Sequence, residues 1–496
     1  MRTGIVALAL VVVGGGCQRS NPAASDDLAV AGPDLGSGES VDLGGVESDL
    51  AMAAAPDLAT APGPDMATPA PGELSVYGGT TSDGWAIVAD TAGYAWAIKL
   101  SDGTQRLIAD QQQSMAVAGD VAFVRHGGQN WGPLELWRNG GPAVHLSDTG
   151  LDTVWVVPPM SDGAGHITYV TGAGGPGEFW LDTVDHSAPR AVAAVYDWDL
   201  PSTCTPQLHF LAGRLLMLHC ANPGSTAPTK NLLSSYDLAG TNDVDLATDA
   251  LSYDAADGVG VLLVSKSGAL NIVAADGSGT LTQTPLVSNA FRARFTPDGE
   301  AALVDIKITG ALDRVDLASK AVTELQPSGV VHLYKVSDDG HWATYEKTFD
   351  DATGRQDLWL ADALHAGTTP IQLSDLTMYP GSGFTSDSAF VFYVIGATDN
   401  TDTASLRARP VAGGAERVVS ATAWDVLLAG GSRLVYSDNV TGTYPDIRVD
   451  LSFVDLSKPD APTKLATQVY SGFDVVADHT VVYLQPGAGL KTATLP

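Results

Sequence analysis

Asp350, Asp351 and Asp357 bracket a glycine, and Asp399, Asn400 and Asp402 fall within four residues of one another. Hard oxygen ligands gathered in a loop are what calcium takes. Neither set has the D-x-[DN]-x-[DN]-G spacing with a distant Glu that a dedicated calcium loop uses, so both read first as solvated acidic loops. The ten histidines are scattered, with no H-x-x-x-H or H-E-x-x-H pair, which removes the commonest zinc arrangements. No G-x-S-x-G elbow occurs either. The sequence thus assigns no catalytic residue and implies no cofactor. Of the three cysteines, Cys204 and Cys220 stand symmetrically about Ala212-Gly213-Arg214, as a cross-strand disulfide on one hairpin requires.

The elements that must position these residues are set by a repeat. Asp257-Gly258, Asp298-Gly299 and Asp339-Gly340 recur every 41 residues, each between two short runs rich in Val, Leu, Phe or Tyr. Asp-Gly supplies the positive φ of a tight hairpin turn. Four short strands with their turns consume about 40 to 45 residues, which makes the period that of a propeller blade. In one unit the spacing predicts strands over Phe291–Phe295, Ala301–Ile306, Leu312–Leu317 and Val322–Leu325. The next predicts Val331–Val336, His341–Glu346, Asp357–Ala361 and Ile371–Leu373. Equivalent turns at Ser82-Asp83-Gly84, Ala118-Gly119-Asp120, Ser161-Asp162-Gly163, Ala212-Gly213-Arg214, Thr385-Ser386-Asp387-Ser388, Ala429-Gly430-Gly431 and Ala477-Asp478-His479 bring the count to ten. The expected fold is an all-β propeller of about 8 to 10 four-stranded antiparallel blades over residues 73–496, as one large ring or two smaller ones. No long segment has a helical apolar period, so α/β architectures are excluded.

Thr296-Pro297-Asp298-Gly299 and Ser337-Asp338-Asp339-Gly340 resemble the S-P-D-G turn of TolB-like propeller repeats. Arg314-Val315-Asp316-Leu317, and Leu358-Trp359-Leu360-Ala361-Asp362 with Leu373-Ser374, echo the later part of that WD-like repeat. The resemblance is clear over residues 250–420. It implies a propeller and a binding role, with an envelope-associated partner such as a peptidoglycan-linked lipoprotein. The propeller of prolyl-oligopeptidase-like enzymes looks similar, but no residues remain here for their hydrolase domain.

At the front, Arg2, the apolar run Ile5–Val13 and the small residues to Gly16 read as a signal peptide over residues 1–16. With Cys17 directly after three glycines, the segment resembles the lipobox of bacterial lipoproteins, departing from it at Gly14. That resemblance implies lipidation at Cys17 and an outer-membrane anchor, with the domain in the periplasm or at the cell surface. Residues 17–72 are Ala, Pro, Gly, Asp and Ser, with an Asp-Leu step every seven or eight residues. Such a segment buries no core and is expected to be a disordered tether.

A net charge of −31 excludes nucleic acid as a partner, since phosphate contacts need clustered Lys and Arg. Contact with a membrane is expected through the lipid anchor only, and the chain is expected to be monomeric. Because the Asp-Gly turns join first and second strands, they share one rim. The irregular loops His126–Gly132, Thr171–Phe179, Ala221–Asn231, Thr348–Gln356, Ala397–Ser405 and Ser437–Pro445 fall on the other. There Trp131, Tyr196, Trp198, Tyr379, Trp424 and Tyr444 are the candidate partner-binding face, the alternative being that they pack between blades. The functional expectation is a non-catalytic scaffold that binds an envelope protein or glycan. The alternative is a propeller lyase or hydrolase acting through channel-lining carboxylates. Two or three inward Asp, Glu or His side chains at a channel mouth, with a raised carboxylate pKa, would mark the enzyme.

Overall fold

The computed structural model describes residues 71–127, 131–151, 159–172, 177–195, 206–211, 213–220, 230–240, 242–275, 281–350, 355–378, 381–396, 404–442, 447–477 and 479–495. Forty strands and no helix occur among them. The strands pair as successive antiparallel meanders, which makes ten blades. Each blade begins with an inner strand. These are Leu74–Thr80, Gln112–Ala118, Met160–Ser161, Gln207–Leu211, Ala250–Ala256, Ala290–Phe295, His332–Val336, Gly381–Phe384, Val426–Leu428 and Phe473–Val476. All ten expected turns lie directly after these strands. Blades 2 and 3 are additionally linked by a single backbone pair, Thr171 with Gly150.

The second strand of a blade has neighbours on both faces and both edges, so it reads as an apolar run rather than an alternation. Trp85–Asp90 and Gly260–Ser265 are buried along their whole length. Between blades lie ten apolar clusters, one for each interface. Trp85, Ile87, Met115 and Trp137 fill the first, with the two indole rings edge to face at 5.2 Å. The tenth joins the two ends of the fold: Val482 and Leu484 pack with Val88, Trp96 and Ile98. Ten consecutive interfaces, including blade 10 on blade 1, make one closed ring rather than two smaller propellers. Closure uses side chains, because Leu74–Thr80 pairs within its own blade and blade 10 has three strands. Two hydrogen bonds assist, from the Thr80 amide to Asp474 Oδ2 at 3.1 Å and from the Gly487 amide to Glu73 Oε1 at 3.2 Å.

A buried hydroxyl organises the regular turns. Thr296 donates to Asp298 Oδ1 at 2.6 Å and its Oγ1 accepts the Ala301 amide at 3.0 Å. Thr81, Ser337 and Thr385 repeat both bonds with Asp83 and Trp85, Asp339 and Trp342, and Asp387 and Phe390. Gly299 takes φ +70°, and a Cβ there would lie 2.4 Å from Val259 of the preceding blade's turn. Glycine therefore serves both the turn and the approach of its neighbour. The turns also bond around the ring: the Ser82 amide to the Gly119 carbonyl, the Asp339 amide to Ser388 Oγ, and the Ser432 hydroxyl to Asp387. Replacing Thr296 by Ala strands the Ala301 amide in a buried site. We expect it to lower unfolding free energy by about 1–3 kcal/mol, and Thr296→Ser by less than about 0.5 kcal/mol, as read from urea denaturation.

Candidate functional site

Inner strands are the sheet edges that face the channel, so their outward amides need acceptors from elsewhere. Carboxylates supply them. Asp254 Oδ2 accepts the Phe295 amide at 2.8 Å, across from blade 5 to blade 6. Asp305, 1% exposed at the end of Ala301–Ile306, accepts the Arg292 amide on one oxygen and the Leu333 amide of blade 7 on the other, at 3.2 Å. Burial pushes the Asp305 carboxyl up to about 6 against the opposing pull of Arg292 and these amides. Its raised pKa matches the mark of an enzyme, but both its oxygens are occupied by the backbone. It closes an edge.

Blades 6 and 7 are where the inner wall differs from the rest of the ring. Of the ten inner strands, Ala290–Phe295 and His332–Val336 alone carry Lys or Arg: Arg292, Arg294 and Lys335. Arg294 Nη1 lies 3.6 Å from Asp254 Oδ1. The Lys335 ammonium makes no hydrogen bond or ion pair among the described residues. Burial and the nearby Arg294 guanidinium push its pKa down, with Asp338 opposing. Toward the irregular rim, Arg292 and Lys307 lie over the Phe291 ring at 5.5 and 5.9 Å, and Phe291 stacks on His332 with centroids 5.6 Å apart.

Beside them a polar cluster surrounds Glu346, which is fully buried at the end of Trp342–Glu346. His332 Nδ1 pairs with its Oε1 and the Tyr334 hydroxyl donates to its Oε2 at 2.6 Å. Tyr334 also meets the Gln356 side chain. Burial and the Glu346 charge push the Tyr334 phenol up, so it stays a neutral donor. With Nδ1 against a buried carboxylate, the other ring nitrogen of His332 is left to act as a hydrogen-bond acceptor. Cations above Phe291 can hold a negative group next to it.

Sequence reading missed this wall, although its signal was present. Phe291 and His332, Arg294 and Lys335, and Asp305 and Glu346 are each 41 residues apart, equivalent positions of consecutive repeats. One blade-to-blade rotation brings equivalent positions side by side. Tyr196, Trp198, Tyr379, Tyr444, Asp351, Asp399, Asp402, Cys17 and Cys204 lie outside the described residues, as do the side chains of Trp131 and Asp350. Trp424 is partly buried against the cluster between blades 9 and 10. Asp357 is buried; its Oδ1 accepts the Lys347 and Thr348 amides at 2.8 Å, and its Oδ2 accepts the Trp359 indole at 2.8 Å. Those bonds shape a loop and use up the oxygens a calcium ion would need. Among the described residues no group of three or more His, Cys, Asp or Glu side chains could hold a metal. Cys220 ends Arg214–Cys220 at 4% exposed, and that hairpin pairs Leu211 with Arg214 and Gln207 with Leu218.

No protein-family model matches the chain, and no curated protein does. Solved structures match at low identity. A eukaryotic initiation factor shares 11% identity over 71% of this chain and 90% of its own, with a TM-score of 0.44. TolB from Acinetobacter baumannii shares 12% over 69% and 76%, with a TM-score of 0.28. The tricorn protease shares 10% over 86% of this chain, which spans 61% of that longer protein, with a TM-score of 0.28.

On the connection into the inner strand of blade 9, Asp425 has no partner for its carboxylate among the described residues, and burial raises its pKa to about 6. The folded state therefore binds more protons than the unfolded one between pH 4 and 6, and stability falls as pH rises through that window. Asp425→Asn should gain about 1–2 kcal/mol at pH 8 and nothing at pH 4. Urea denaturation at the two pH values checks it, and an equal effect at both would contradict the assignment.

Proposed function

We propose that this chain is a lipid-anchored extracytoplasmic propeller that binds an envelope protein or glycan and performs no chemistry itself. One observation carries the reading. The ring is closed at all ten interfaces and its channel-facing edges are capped at several blades, while the polar groups of the inner wall gather at blades 6 and 7. A rigid ring with one distinctive wall is suited to holding a ligand in a fixed place. Nine residues separate the second and third strands in blade 4 and eight in blade 8, against four in blades 5 and 6, so loops around the irregular rim differ enough to give a partner-specific outline. Signal peptide and tether belong to the proposal through the sequence alone, as does the Cys204–Cys220 bridge.

A second reading has its own observation. The Glu346–His332 pair beside Arg292 and Lys307 could act as a general base next to a cationic clamp, in a lyase or hydrolase on polysaccharide or small-molecule substrates. Crosslinking and pull-down from the native envelope distinguish the two. Recovery of a defined partner, with no turnover in a glycan panel, is the expected outcome. No partner, together with turnover in a glycan panel that His332→Gln abolishes, would establish the enzyme instead. Non-reducing mass spectrometry of the native chain is expected to show a lipid-modified Cys17 and a Cys204–Cys220 peptide pair. An unmodified Cys17 removes the anchor, and two alkylated cysteines remove the bridge.

A further inference from the structure

We propose that a groove between blades 5 and 6, on the irregular rim, receives a lysine side chain of a partner protein. The proposal rests on the binding-module reading and names the chemistry of the contact. The groove has a volume of about 670 Å³ and lies beside the connections that carry Ser288 and Thr309. Its apolar wall includes Leu270, Leu286, Val287 and Ile306, which belong to or pack against the cluster joining these two blades. On its polar side are Asp313 and Glu324, directly opposite each other on paired strands. Like charges in that position are destabilising. Burial and the Glu324 charge raise the Asp313 pKa, and Asp313 Oδ1 is buried without a hydrogen bond among the described residues.

No cation is supplied from within. The groove is lined by no Lys, Arg or His, and neither carboxylate has an ion-pair partner among the described residues. Lys307, two residues before Thr309, is instead directed inward, over the Phe291 ring at 5.9 Å. Two carboxylates beside an apolar wall are complementary to a cation on an alkyl stem, whose methylenes cover the wall while its ammonium donates to both. A bare divalent ion fits less well, because a hard cation gathers several oxygens. Among the described residues no group of three or more His, Cys, Asp or Glu could hold one. Ile308 favours a protein over a free amine as the source of the stem. It sits on the connection that supplies Thr309 and is 76% exposed, the highest value of any large apolar side chain among the described residues. Residues flanking a partner's lysine would cover it, and a diamine would leave it bare.

Fluorescence anisotropy of the full chain with a labelled Ala-Leu-Lys-Leu-Ala peptide tests this. Separate arms carry acetyl-lysine or glutamate in place of the lysine, and unlabelled cadaverine competes with the lysine peptide. Binding of the lysine peptide alone is expected, with an affinity that falls as salt is added. Asp313→Asn and Glu324→Gln should each weaken it by at least about tenfold. Both variants are expected to melt no lower than the wild type, because each removes one of the two opposed charges. Should one fail to fold, the other variant, the acetyl-lysine arm and the wild-type salt dependence decide. Equal binding of the acetyl-lysine peptide, binding of the glutamate peptide, or folded variants that bind as the wild type does would each overturn the proposal. Cadaverine that binds as tightly as the peptide would overturn the assignment to a protein side chain. A wild-type chain that captures an envelope partner but does not bind the lysine peptide would overturn the groove and leave the binding-module reading standing. Failure of both would remove both.

Discussion

A strand at the inner edge of a blade offers a row of amides and carbonyls that its own sheet cannot satisfy, and in a propeller ten such edges surround the channel. At three of the ten junctions a neighbouring blade caps this edge with a carboxylate. Asp254 reaches from blade 5 to blade 6, Asp305 from blade 6 to blade 7 and Asp474 from blade 10 to blade 1. Each bond does two things at once: it satisfies a buried donor that would otherwise cost about 1–3 kcal/mol, and it fixes the angle between consecutive blades. The apolar clusters supply the larger share of the stability but tolerate sliding, whereas a carboxylate on a named amide does not.

This requirement gives the acidity of the chain a structural content beyond solubility. Asp90 accepts the Gly72, Ala92 and Tyr94 amides and the Trp96 indole, and Asp357 does similar work for the loop after Trp342–Glu346. The turn aspartates Asp83, Asp298, Asp339 and Asp387 each receive a buried Ser or Thr hydroxyl. An all-β ring built from short hairpins leaves many amides at strand ends and turns, and short acidic side chains reach them from the backbone two or three residues away. Against this background, three cations on two inner strands stand out as a departure from the way the rest of the ring is made.

All ten hairpin turns were legible in the sequence, because a Gly or Asp between two short apolar runs is local chemistry that needs no distant partner. Strand limits were legible nearly as well. Ala301–Ile306 is as expected, and Ala311–Asp316 lies one residue earlier than the apolar pattern placed it. The candidate site was less legible. Aromatic residues in long loops were favoured as anchors, yet Trp424 is held in an interface by packing that depends on blade 10. Asp357 looked like a free loop carboxylate until the fold brought two amides and an indole to it. The wall between blades 6 and 7 was hidden because a strand pattern records burial and alternation, and not which edge faces a channel.

The sequence by itself determined the repeating unit: four antiparallel strands, a 41-residue period, and turns whose glycines satisfy a positive φ. These follow from interactions within a few residues of one another. Whether the units close as one ring or two was decided only in tertiary structure. It depends on Leu74, Val88 and Trp96 fitting Val482 and Leu484, about 400 residues away in the chain, and on the Asp474 carboxylate reaching Thr80. The same holds for the wall between blades 6 and 7. Arg294 and Lys335 become neighbours because equivalent positions in adjacent blades differ by one rotation about the channel axis, a relation that the period contains but that only the closed ring turns into proximity.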